Sequence, residues 1–326
     1  MATLSHEAFR RCIERFGGCD EYVTEMINAA SLLNGGPFEQ FYLRAGPAPH
    51  KIVWQLTGNK AESMAEAAAL LSGREGIGID LNMGCSAPDI YKTGAGIAWM
   101  LKDRAETQAM VSVVQAAIAR NAPQLRLSVK LRLGDEQFTD EGFFSFCAML
   151  ADCGVTLLTL HPRTKREKYR TLPRWHYAQQ LAERMHPHGV QVVLNGGIDS
   201  PQTYRQAVQT APDVDGMMIA RAAVQKPWIF AELAGIRQST ISEWKKNRTN
   251  PSSDKILAIC KALDVSPEWL LSGVDPAASR GKNQEYYVVD VETDTGFMVE
   301  GFNKLDKSRR DRLMGYIEAL TAELKQ

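Results

Sequence analysis

Four stretches of the chain carry side chains whose types and spacing could do chemistry together. LNMGCSAP (81–88) sets Asn82 and Cys85 just past an apolar run, in a loop that Gly84 allows to bend sharply. VKLRLG (129–134) offers Lys130 at the mouth, with Arg132 expected on the opposite side of the strand and one of the two open to a structural salt-bridge role. TLHPRTKREKY (159–169) adds His161, Arg163, Lys165 and Tyr169. VVLNGGI and MMIAR supply Asn195, Gly196, Gly197, Ala220 and Arg221. The two glycines would let backbone amides come close to a phosphate, and Arg221 would neutralise it. Each residue also has a bland reading: a lone loop cysteine is usually inert, and His161 alone could be a satisfied core histidine.

The elements that must position these groups alternate in type. Strand candidates fall at 20–26, 51–58, 76–84, 126–133, 156–163, 190–197 and 216–221, separated by amphipathic helical stretches such as AESMAEAAALL. Strands that are apolar on both faces and joined through helices indicate a parallel sheet. The polar residues (Glu25, Gln55, Asn82, Lys130, His161, Asn195, Arg221) cluster at strand ends, as in a (β/α)8 barrel whose active site opens at one mouth. A doubly wound dinucleotide fold would show G-x-G-x-x-G after its first strand, and none is present. The expected fold is therefore an α/β, TIM-type (β/α)8 barrel. Seven strands are countable where eight are needed, and the chain opens on a helix, LSHEAFRRCIERFGG. The first strand is read as missing, with an open edge left behind.

QLTG, NMGCSAP, VKLR, LHPRTKREKY, LNGGI and IARAAVQKPWIF, in that order, resemble the tRNA-dihydrouridine synthases over about residues 1–233. The resemblance implies a flavin-binding barrel that reduces the C5=C6 bond of uridines in tRNA, with FMN reduced by NADPH or NADH. It makes Cys85 the acid that protonates C5; an ordinary thiol, with pKa near 8.5, is mostly protonated at neutral pH. It places Asn82 on the uracil edge, with Arg163 and Tyr169 facing a flipped-out base or its backbone. Gln55, Lys130, His161, Asn195, Gly196, Gly197, Ala220 and Arg221 would surround the FMN, and Lys130 would stabilise the anionic reduced ring. The family's loop after the first strand and its C-terminal helical domain are not matched.

After Gly235 the alternation stops. Ala231, Gly235, Ile241 and Trp244 follow A-x3-G-x5-I-x2-W, the spacing of a helix-turn-helix, and residues 236–273 resemble Cro/C1-type domains that lack their first helix. Gln238, Ser239 and Thr240 would lie near base edges or phosphates of double-stranded DNA, and Lys245, Lys246 and Arg248 on its backbone. The organisation read is a barrel (1–233), an incomplete helix-turn-helix domain (234–273), and a tail (274–326) that could serve a homodimer. The rival reading is a Cro/C1-type DNA-binding regulator carrying an inactive barrel.

Bulk composition narrows the rest. With Lys plus Arg and Asp plus Glu both 38, nothing pulls the chain as a whole toward nucleic acid, so any such attraction is local. Hydrophobic content of 44% and charged content of 23% fit a soluble globular protein. Six cysteines without a C-x-x-C pair suggest neither zinc nor disulfides and fit a reducing cytoplasm. No run is long and apolar enough to span a membrane.

Overall fold

The computed structural model describes residues 4–167 and 172–233, and scattered positions between 298 and 313. The chain divides into two compact units, 1–265 and 266–326. In the second, the Arg310 guanidinium stands 5.5 Å from the centre of the Phe302 ring and donates to the Phe302 carbonyl. The residues expected to form the helix-turn-helix, 234–273, lie outside the described residues, as does Tyr169.

In the first unit β1 (Tyr22–Val23) and β2 (Ile27–Asn28) both pair in parallel with β3 (Ile52–Thr57). The sheet continues through β4 (Gly78–Met83), β5 (Arg126–Leu131), β6 (Leu157–Leu160), β7 (Gln191–Asn195) and β8 (Gly216–Met218), each parallel to its predecessor. Every residue of β3 and β4 is buried, as strands covered on both faces must be. Their apolar sets, Trp54, Leu56, Ile79 and Leu81, join one core with Phe143, Phe146 and Leu150 of the helix Asp140–Asp152.

Several helix starts are written in the sequence. Asp103 and Thr139 accept from the amides of Ala105 and Gly142, and Ser200 and Thr203 form a reciprocal capping box with Pro201 in the first turn. These caps fix where each helix begins above its strand.

The sheet is curled. Lys130 on β5 reaches Asn195 on β7, past β6, and Arg126 on β5 makes a two-pronged ion pair with Glu21 just before β1. In a flat sheet β1 and β5, with β3 and β4 between them, would lie about 14 Å apart. Among the described residues no strand joins β8 to the β1–β2 edge. The architecture is thus the expected TIM-like one with seven strand positions, the first broken into two pieces.

The break has a visible cause. The Thr24 amide donates to the Val53 carbonyl, but the next bond on that edge runs from the Gln55 amide to the Thr24 side-chain oxygen, 3.0 Å away. A hydroxyl replaces a backbone carbonyl, and the ladder resumes only at Ile27. Among the described residues no helix is long and apolar enough to cross a membrane.

Candidate active site

Strand register decides which side chains meet inside the curl. Gln55 pairs with Asp80 and Asp80 with Ser128; one layer higher Asn82 pairs with Lys130 and Lys130 with Thr159. Because successive residues alternate faces, Asp80 and Asn82 point inward together. Gln55 Nε2 donates to Asp80 Oδ2 at 2.7 Å, Ser128 Oγ to Asp80 Oδ1 at 2.8 Å, and Asn82 Nδ2 to Gln55 Oε1 at 3.0 Å.

Asn82 Oδ1 in turn accepts from the amides of Gly84 and Cys85, at 3.3 and 3.0 Å. The loop carrying the thiol is therefore tied back onto the strand end. Its far side is fixed by the Ile97 amide, which donates to the Cys85 carbonyl at 3.0 Å. That approach needs Gly96, whose φ is +61° and whose missing Cβ would lie 2.5 Å from the Cys85 oxygen. Cys85 itself is half-buried.

On the neighbouring strands Lys130 Nζ donates to Asn195 Oδ1 at 3.0 Å, and Asn195 Nδ2 to the Met218 carbonyl at 2.8 Å, which links β5, β7 and β8. Burial lowers the Lys130 pKa to about 8, against the pull of Asp80. Arg132, expected on the opposite side from Lys130, shares its face: residues two apart on a strand point the same way. Its guanidinium donates to the Thr164 carbonyl at 3.1 Å.

His161 sits among cations. Burial, then Lys130, Arg132, Arg163 and Arg221, push its pKa down to about 2, so the imidazole is neutral at any working pH. Arg163 Nη1 donates to His161 Nε2 at 2.6 Å, and the ring proton therefore resides on Nδ1. Four positive groups around one neutral ring give this end of the curl a positive potential.

Gly196 and Gly197 close the same corner, with φ of +109° and +78°. A Cβ on Gly196 would lie 2.7 Å from His161 Cδ2, and one on Gly197 would lie 2.7 Å from Pro173 Cγ. Trp175 Nε1 donates to the Gly196 carbonyl at 2.9 Å and fixes the turn. Ala220 precedes the short helix Arg221–Gln225, and Arg221 is exposed at its start.

The structure thus brings Gln55, Asn82, Cys85, Lys130, His161, Arg163, Asn195 and the glycine pair to one end of the curl. It does not describe Tyr169 or the residues expected on DNA: Gln238, Ser239, Thr240, Lys245, Lys246 and Arg248. Sequence reasoning missed Asp80, Ser128 and Tyr91, over whose ring the Lys165 ammonium sits at 3.3 Å. Asp80 had a signal: a carboxylate inside an apolar strand, two residues before Asn82, must share its inward face.

Comparison with known proteins bears on this site. A family model described as dihydrouridine synthase (Dus) matches residues 1–263, past the expected boundary at 233. A tRNA-dihydrouridine(47) synthase-like protein of Xenopus tropicalis is 31% identical over 277 residues, 83% of this chain and 42% of that protein. A probable tRNA-dihydrouridine synthase of Aquifex aeolicus is 30% identical over 235 residues, 71% of this chain and 70% of that protein. Among solved structures, an old yellow enzyme homologue from Zymomonas mobilis aligns with a TM-score of 0.45 at 14% identity, covering 74% of this chain and 88% of its own. The chain therefore spans about two fifths of the length of the Xenopus relative.

Proposed function

The chain belongs to the dihydrouridine synthase family, and from that premise we propose that it reduces uridine in tRNA to 5,6-dihydrouridine, using FMN and either NADPH or NADH. The observation that carries the reading is the Asn82–Cys85 loop, held at the end of β4 beside Lys130, whose ammonium reaches Asn195 and acts on His161. The names of the relatives in Xenopus and Aquifex support tRNA as the substrate. A cytoplasmic location belongs to the same proposal.

The donor set fits a phosphorylated, electron-rich cofactor. Lys130, Arg132, Arg163 and Arg221 supply positive potential, and the glycine turn exposes backbone where any side chain would collide with His161 or Pro173. Gln55, Lys130, His161, Asn195, Gly196, Gly197, Ala220 and Arg221 would hold FMN, which when bound would supply the hydride for C6 of the base. The rest falls to the chain. Cys85 delivers its thiol proton to C5, and the lost proton returns from solvent. Asn82, with both Oδ1 lone pairs taken by backbone amides, has one amide hydrogen left and meets a carbonyl oxygen of the ring. Tyr169 would contact the extruded base or its backbone, whereas Arg163, expected there too, is buried against His161.

The test is the purified chain's absorbance near the flavin bands, before and after FMN is added, followed by dihydrouridine formation on tRNA. A chain that neither carries nor gains flavin refutes the reading. The DNA-binding reading rests on the A-x3-G-x5-I-x2-W spacing and the local excess of Lys and Arg alone. With it goes a homodimer through residues 274–326. It predicts salt-sensitive binding to a palindromic duplex that weakens when Lys245 and Lys246 are removed.

A further inference from the structure

Asp80 has no part in the chemistry just described, yet it is buried beneath the site, 2% exposed. Four hydrogen bonds lead to it in one direction. The Cys85 amide donates to Asn82 Oδ1, Asn82 Nδ2 to Gln55 Oε1, Gln55 Nε2 to Asp80 Oδ2, and Ser128 Oγ to Asp80 Oδ1. Gln55 and Asn82 are carboxamides, which could in principle face either way. Burial raises the Asp80 pKa, opposed by the hydrogen bonds from Ser128 and Gln55 and by the charges of Lys130 and Arg126; both its oxygens accept here, which obliges Gln55 to turn Nε2 downward. Gln55 Oε1 then faces Asn82, and Asn82 Oδ1 is left for the loop amides. The chain is thus fixed by an acceptor at its base and by two backbone donors at its top.

We propose that Asp80 is a positioning residue that acts through Gln55 and Asn82 to hold the Cys85 loop and to fix which edge of Asn82 faces the ring. Aligned donors along such a chain polarise one another, so a doubly accepting carboxyl at the base tightens the bond at the Cys85 amide. The Gln55 side chain transmits the effect because its backbone is itself held, through its amide, by Thr24. Ser128 takes the second carboxylate oxygen and keeps Asp80 from rotating away. The consequence for specificity rests on the proposed uridine reduction: an Asn82 that can only donate accepts a ring carbonyl and rejects an exocyclic amine at the same place.

Hydrogen exchange followed by mass spectrometry on the full chain reads the positioning without any turnover. In Asp80→Ala the peptide covering 83–88 is expected to exchange on the order of tenfold faster, the value of one lost bond to a charged acceptor. Peptides from β6 and β7 should stay unchanged. Asp80→Asn keeps an acceptor for Gln55 and can donate to Ser128 Oγ, so it should restore exchange to within roughly threefold of wild type. If Asp80→Ala does not fold, Gln55→Leu cuts the chain one link higher and should give the same local acceleration. Unchanged exchange at 83–88 in a folded Asp80→Ala or Gln55→Leu protein overturns the proposal, as does equal acceleration throughout the barrel. Uridine reduction is measured in parallel: a wild type that reduces no uridine while the exchange pattern holds sinks the function and leaves the positioning standing.

Discussion

Replacing Lys130 with Met should make the folded protein more stable at neutral pH. A lysine held near pH 8 where 10.5 is ordinary costs the folded state roughly 3 kcal/mol whenever it is charged. Between pH 8 and 10.5 the folded chain has released this proton while the unfolded chain keeps it. The unfolded state therefore binds more protons, and stability rises with pH across that window. Below pH 8 both states are charged and the full cost is present.

Methionine fills similar space without charge, but it forfeits the bond from Nζ to Asn195 Oδ1, worth about 1 kcal/mol, and leaves Asp80 without its nearest opposing cation. Lys130 is also only partly covered, so the raw cost is an upper bound. The net expectation is a gain of about 1 kcal/mol at pH 7. Urea denaturation followed by tryptophan fluorescence at pH 7, 8, 9 and 10 measures it. Wild type should gain stability across the series and Lys130→Met should not. Profiles that rise in parallel would show that Lys130 is not the group responsible. FMN affinity should move the other way, falling about tenfold in the variant, since one charge contact to an anion is worth about 1.5 kcal/mol.

Cys85→Ala should abolish uridine reduction and leave flavin absorbance intact; normal turnover would show that another group supplies the proton. Gly196→Ala should lose about 2–3 kcal/mol in thermal or urea unfolding, because it combines a left-handed φ with a 2.7 Å approach to His161. Unchanged stability there would mean that the turn relaxes freely. His161, held neutral down to about pH 2, should show no NMR titration between pH 5 and 8, and a step near 6.5 would contradict the cation cluster around it.

The strand positions were legible because parallel strands read as continuous apolar runs, and their ends were legible because polar residues cluster there. Less visible was the interruption of the first strand. DEYVTEM reads as an unbroken strand, and only the Gln55 amide, 31 residues on, reveals that Thr24 lends its side chain to the ladder. The site was legible as a set of strand-end residues but not as a network. Asp80 reads as a stray charge until register brings Gln55 and Ser128 to its two oxygens. The face shared by Lys130 and Arg132 needed only the strand period, applied correctly.

The unjoined edge between β8 and the β1–β2 edge bears on how the sheet assembles. β1 and β2 both pair with β3, and from β3 onward each strand pairs with the next in sequence, so the ladder can be laid down in chain order. A hydrogen-bonded seam between residues near 22 and 218 would demand closing a loop of nearly the whole barrel, on the order of 5 kcal/mol of chain entropy. Among the described residues that demand falls on no backbone ladder, which favours fast, progressive growth. Among the described residues the sheet is left with two ends, each with a neighbour on one side only. Opening should start at β1 or β8 and travel inward, so that β4 and β5, which carry Asp80, Asn82 and Lys130, are the last to let go.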